Sequence, residues 1–81
     1  MSTPAVHAAL WQAIDDLAAR NGCSASGLAI RAGLDATCLN KSKRTLGTAL
    51  RWPSTVTLAR LFDVTGDSFD VTAILAARAG E

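Results

Sequence analysis

Thr37, Asn40, Lys41, Lys43, Arg44 and Arg51 fall within fifteen positions of one another, and their side chains are those that hydrogen-bond to bases and phosphates. An asparagine amide pairs with adenine through two bonds, a lysine reaches guanine acceptors, and a threonine offers thymine a hydroxyl and a methyl. Thr37, Asn40 and Lys41 are therefore the candidates for base edges, with Ala36 placed to meet a thymine methyl. Ser26, Lys43, Arg44, Arg51 and Trp52 suit phosphate oxygens, contacts that fix register and carry no sequence information. Asp35 suits a helix cap better than a base.

The charge pattern points the same way. Net charge is only +1, but the segment between Ala36 and Phe62 holds five cations (Lys41, Lys43, Arg44, Arg51, Arg60) and no acid. The rest of the chain sets seven acids against Arg20, Arg31 and Arg78. A field segregated in this way orients a protein on a polyanion despite a small total. Without supporting structure such a segment is a solvated basic loop, so the elements that carry it decide its meaning.

Those elements read as five helices and no sheet. Val6, Leu10, Ala13, Ile14, Leu17 and Ala18 recur at helical steps, which predicts a first helix from about Pro4 to Asn21, capped by Ser2 or Thr3 and ended by Asn21-Gly22. Trp11 is expected at the edge of that stripe. Ser24 caps a short second helix, Ala25 to Ala32, closed by Gly33; Asp35 or Thr37 opens a third, through about Lys43. The spacing of small Ala29, turning Gly33 and inward Leu39 is that of a helix-turn-helix, with Leu28, Ala32 and Leu34 completing the inner face. Thr45 to Pro53 is the least regular stretch; its Trp52 either plugs the core beside Pro53 or turns its N–H to phosphate, and the two are compatible. Ser54 and Gly66 bound a fourth helix with Val56, Leu58, Ala59, Leu61 and Phe62 mostly inward. Asp67 or Ser68 opens a fifth, whose Phe69, Val71, Ile74, Leu75 and Ala76 precede Gly80.

Leu10-Trp11…Ile14…Leu17-Ala18, Ser24-Ala25-Ser26-Gly27-Leu28-Ala29…Ala32-Gly33-Leu34-Asp35, Asn40-Lys41-Ser42-Lys43-Arg44 and Arg51-Trp52-Pro53-Ser54-Thr55…Leu58-Ala59 resemble one family. It is the lambda-repressor-like, or Cro/repressor, helix-turn-helix family, and more narrowly the N-terminal DNA-binding domains of phage-type repressors often joined to a LexA-like serine peptidase domain. The resemblance covers roughly residues 5 to 76. It implies a compact all-α domain of five short helices and a sequence-specific double-stranded DNA-binding transcriptional regulator, a repressor in the simplest case. The helix around 35–44 would then lie in the major groove. Two departures stand out: Ser42 occupies a late position of the recognition helix that is usually apolar, so that helix ends early or is packed by Trp52 or Leu46, and these 81 residues contain no peptidase Ser/Lys pair.

Other classes fare worse. His7 is solitary and expected near an exposed N-terminus, and Asp15-Asp16 diverge by about 100° on a helix, so no catalytic constellation is expected. Cys23 and Cys38 form no C-x-x-C pair and read as reduced structural thiols; no metal or cofactor is expected. With no signal-peptide pattern and no apolar run of membrane-spanning length, the cytoplasm is the default, and the nucleoid under the resemblance. The alternative function is a protein-binding module, an antitoxin or anti-repressor on a helix-turn-helix scaffold. One recognition helix touches too few base pairs to find a site in a genome, which implies a homodimer on DNA. Phe69, Val71, Ile74 and Leu75 are the expected seam.

Overall fold

Helix α1 runs from Thr3 to Arg20 and turns its apolar stripe inward: Val6, Leu10, Ile14, Leu17 and Ala18 are all buried. This computed structural model describes the backbone of residues 3–79 and the side chains of residues 4–75. The Ser2 cap, the Gly80 stop and the side chain of Ala76 lie outside the described residues. Gly22, at φ 71°, takes the chain out of α1 through a conformation that a side chain would strain.

Helix α2 (Ala25–Arg31) begins as its sequence requires, with the Ser24 hydroxyl accepting the Gly27 amide at 3.1 Å. It packs across α1 and buries Leu28 and Ala29 completely. Gly33, at φ 73°, makes the turn expected of it, and Leu34 N–H reaches back to the Ala29 carbonyl at 2.9 Å. Leu39 is buried to 1% exposure, so the Ala29–Gly33–Leu39 spacing does what it predicts for the core.

The third helix does not form. Residues 36–43 are successive tight turns ending in a single 3-10 turn, Lys41–Lys43, with the amides of Cys38, Asn40 and Lys43 each bonded three residues back. Two carbonyls that an α-helix would use internally are taken by side chains from elsewhere. Ser26 Oγ donates to Ala36 O at 2.9 Å, and Arg44 donates to Leu39 O at 2.8 Å. Asp35, Thr37 and Asn40 are also poor helix formers whose side chains compete for backbone groups. Asn40 itself is extended, at ψ 150°.

The expected absence of sheet is corrected too. Thr45–Leu46 (β1) and Ala49–Leu50 (β2) pair antiparallel, Thr45 opposite Leu50 and Leu46 opposite Ala49. Gly47, at φ 62°, followed by a residue of negative φ, is the pattern a type II′ hairpin demands.

Helix α3 (Thr55–Thr65) is capped by Ser54, whose hydroxyl accepts the Thr57 amide at 3.0 Å, and closed by left-handed Gly66. It buries Leu58 and Leu61 and keeps Phe62 half-buried, whereas Val56 and Ala59, expected inside, are exposed. The cap of α4 (Val71–Ala79) is neither Asp67 nor Ser68 but Asp70, which accepts the Ala73 amide at 3.0 Å. Helix α4 lies against α1, and Arg20 of α1 pairs with Asp67 at 3.0 Å. Four α-helices and a small hairpin thus replace the five helices expected. No helix among the described residues is long and apolar enough to cross a membrane.

The turn and its crossing generate a stability test. Gly33→Val forces a β-branched residue to positive φ and should cost about 1–3 kcal/mol; Ala29→Leu should cost a similar ~1–3 kcal/mol by overpacking. Urea unfolding monitored by circular dichroism measures both, and a parental midpoint in either would contradict this account of the turn.

Candidate nucleic-acid interface

His7, Trp11 and Asp15 stand at four-residue steps on α1, one above another, and together they hold Arg44 and Arg51, the two ends of the hairpin base within the basic segment. His7 is not near an exposed surface, as its position suggested: it is buried to 8%, with Nε2 2.9 Å from the carbonyls of both Arg44 and Arg51. Two acceptors at that distance require the proton on Nε2. The Trp11 N–H, which lies 3.1 Å from the same nitrogen, therefore donates to Arg51 O at 3.0 Å. Arg51 N–H donates to Arg44 O at 2.9 Å, closing the hairpin base. Trp11 is a core residue, 5% exposed, rather than an edge residue.

Asp15 completes the row. Its carboxylate receives Arg44 through two bonds, of 2.9 and 2.6 Å, while the same guanidinium caps Leu39 O and lies 4.7 Å from the Trp11 ring centre. Arg44 is thus spent inside the fold, so its expected role as a phosphate contact is corrected. Ser26 is withdrawn in the same way, because its hydroxyl is bonded to Ala36 O.

The other cations of the segment face outward. Lys41, Lys43 and Arg51 are exposed, and none of their side chains is hydrogen-bonded or ion-paired among the described residues. A cleft of about 350 Å³ brings Lys43 and Arg51 together with Thr37 and Trp52, above Trp11 and Leu39 and beside the Ser54 cap of α3. Trp52 takes an intermediate course: its ring stands edge-on to His7 at 5.2 Å, yet it remains 42% exposed. Leu46, the other residue expected to fill in for Ser42, is 70% exposed and lies outside the core. Ala36, Asn40 and Lys41 do not line the cleft; Asn40 is half-buried, and its side chain makes no hydrogen bond among the described residues.

Asp35 is the one acid at the cleft, and it acts as a cap. Its Oδ1 accepts the Thr37 hydroxyl at 2.7 Å and the Thr37 amide at 2.8 Å, which hold its carboxyl below the ordinary range, helped by the charge of Lys43. Burial pushes the neighbouring Cys38 thiol up, and the charge of Asp35 adds to this. Both cysteines are unpaired, and no group of three His, Cys, Asp or Glu side chains gathers among the described residues.

The expected seam is divided. Phe69 packs edge-on to Phe62 at 5.0 Å and, with Val71, lies half-buried against the domain's own core, so each offers only part of its surface to any interface. Ile74 is half-buried and Leu75 is 41% exposed.

No protein-family model matches the chain, and no curated protein or solved structure matches it.

The α1 row is not evident from His7 taken alone or from Asp15 taken with Asp16. The signal was their four-residue spacing with Trp11, a polar line beside the apolar stripe. Two tests follow. Arg44→Ala and Asp15→Ala should each destabilise the fold by roughly 2–3 kcal/mol, since each strands a half-buried partner, and the double variant should cost much less than their sum. Independent, additive losses in denaturant unfolding would refute the pair. The Asp35–Thr37 turn is held when the carboxylate is charged, so it persists through neutral pH and loosens as pH falls through a value below the ordinary 3.8. The Thr37 amide resonance should titrate there, and should not do so in Asp35→Asn.

Proposed function

We propose that this chain is a sequence-specific double-stranded DNA-binding transcriptional regulator, acting in the simplest case as a repressor that occludes a promoter. The observation that carries the reading is the outward, unpaired set Lys41, Lys43 and Arg51 on an acid-free segment whose own arginine, Arg44, holds that segment rigid. A surface that leaves cations unpaired while satisfying a neighbouring one internally is suited to a polyanion. The resemblance of the Asn40-to-Arg44 and Arg51-to-Thr55 stretches to phage-type repressor domains supports the same function.

In this reading the tight turns of residues 36–43 take the place of a recognition helix. A short run of tight turns, narrower than an α-helix with its full ring of side chains, fits a major groove about 12 Å wide. Asn40 and Lys41 read base edges, Thr37 and Ala36 add contacts to thymine, and Lys43, Arg51 and the Trp52 N–H hold phosphates. Two copies bind half-sites related by a two-fold axis, with Ile74 and Leu75 of α4 at the seam. The alternative, a protein-binding module, draws on Ile30 and Val56, which stand 61% and 62% exposed.

Salt dependence separates the two. DNA fragments retained from a random pool, then titrated at several salt concentrations, should show Lys43→Ala and Arg51→Ala each flattening the slope by about one unit. Asn40→Ala and Lys41→Ala should lose roughly 1–3 kcal/mol on the selected site and little on random DNA. Arg44→Ala, once corrected for folded fraction, should leave the slope unchanged. A salt-independent interaction, or a stoichiometry of one chain on a site without inverted symmetry, would overturn the reading or its dimer respectively.

A further inference from the structure

Hairpin β1–β2 is held far more firmly than its size explains. Two strands of two residues are too short to be stable alone, and here the outer half of the hairpin touches little. Leu46 is 70% exposed, its neighbours through Ala49 are exposed, and nothing lies within 4 Å of where a Gly47 side chain would be. The inner end is clamped by buried groups: His7 on the carbonyls of Arg44 and Arg51, Trp11 on Arg51, and Asp15 on Arg44. A core that spends a histidine, a tryptophan and an ion pair on the base of a hairpin fixes where its free tip points. A leucine displayed on that tip contributes nothing to folding.

We infer that the tip of this hairpin, led by Leu46, is a second DNA-reading element, entering the minor groove that flanks the major-groove site of residues 36–43. The inference rests on the DNA-binding reading above and adds a groove, a residue and a mode of contact to it. The tip follows the turns of residues 36–43 directly through Arg44, so a duplex against those turns meets the hairpin next. No acid lies from Ala36 to Phe62, and the exposed cations Lys43 and Arg51 flank the hairpin in sequence and stand together at its base, placed to meet phosphates beside the groove that the tip enters. The tip itself is uncharged, and Leu46 is its one large apolar side chain. Leucine is among the wedges that minor-groove proteins insert against base steps, widening the groove and bending the duplex. A two-residue Gly47–Thr48 turn is the narrowest end a strand pair can present to a groove about 6 Å wide.

Dimethyl sulfate footprinting on the selected site tests this directly, because the reagent methylates guanine N7 in the major groove and adenine N3 in the minor groove. The expected result is guanine N7 protection at the centre of each half-site with altered adenine N3 reactivity at its flank. Leu46→Ala should abolish the flanking signal, keep the central one at saturating protein, and weaken binding about tenfold, the factor that withdrawing one leucine from a contact carries. Central protection with no flanking change in the parent, or unchanged affinity in Leu46→Ala, would overturn the hairpin's role and leave the DNA reading standing. Self-association without DNA that Leu46→Ala removes would assign the tip to a second copy instead. A chain that protects no guanine would remove both.

Discussion

The Arg44 guanidinium organises this fold. One side chain closes two bonds on Asp15, caps the Leu39 carbonyl and lies over the Trp11 ring, so it joins α1, the turns of residues 36–43 and the hairpin at one point. Its planar fork suits this work, since it satisfies several acceptors at once where an ammonium would leave some unmet. With the pair largely withdrawn from water, at 11% exposure for the arginine and 29% for the aspartate, loss of either partner strands the other. The arrangement also explains why residues 36–43 are turns, because the carbonyl that would continue a helix at Leu39 is already occupied.

The same interaction shapes the surface. By neutralising one cation inside, Arg44–Asp15 removes an acid that would otherwise lie near the basic face, and Arg20–Asp67 removes another at the far end of α1. What remains outward on the acid-free stretch is Lys41, Lys43, Arg51 and Arg60. The field of the basic face is therefore produced by which ion pairs the fold closes as well as by where the cations fall in the chain. Asp35 is the exception that stays at the cleft, its oxygens engaged by Thr37.

Helix α1 orders the segment on which the proposed function relies. A segment built of turns and a short hairpin has little cooperativity of its own and would sample many shapes before contacting a ligand, at an entropic cost to binding. The His7–Trp11–Asp15 row removes that freedom from within the core, and Leu39 seats the segment from below. A histidine, an indole and a carboxylate on a core-facing helix are tolerated because each polar group finds a partner; no buried side-chain polar atom among the described residues lacks one.

Much of this was legible in local patterns. The stripe of α1, the Ser24 and Ser54 caps, the Gly33 and Gly66 turns and the burial of Ala29 and Leu39 follow from spacing and backbone sterics, which act within a turn or two of the chain. The segregation of charge between Ala36 and Phe62 is likewise plain from order alone. What tertiary structure decided were the contacts between residues 29 to 44 positions apart, Asp15 with Arg44 and His7 with Arg44 and Arg51. Local propensity around Asp35 to Lys43 is too even to choose between helix and turns, so Ser26 of α2 and Arg44 at the hairpin base made the choice by claiming two of its carbonyls. Arg44 reads in sequence as one more cation of a basic cluster; only the approach of Asp15 and Trp11 in space turns it inward, because an ion pair's partner is set by the fold and not by proximity in the chain.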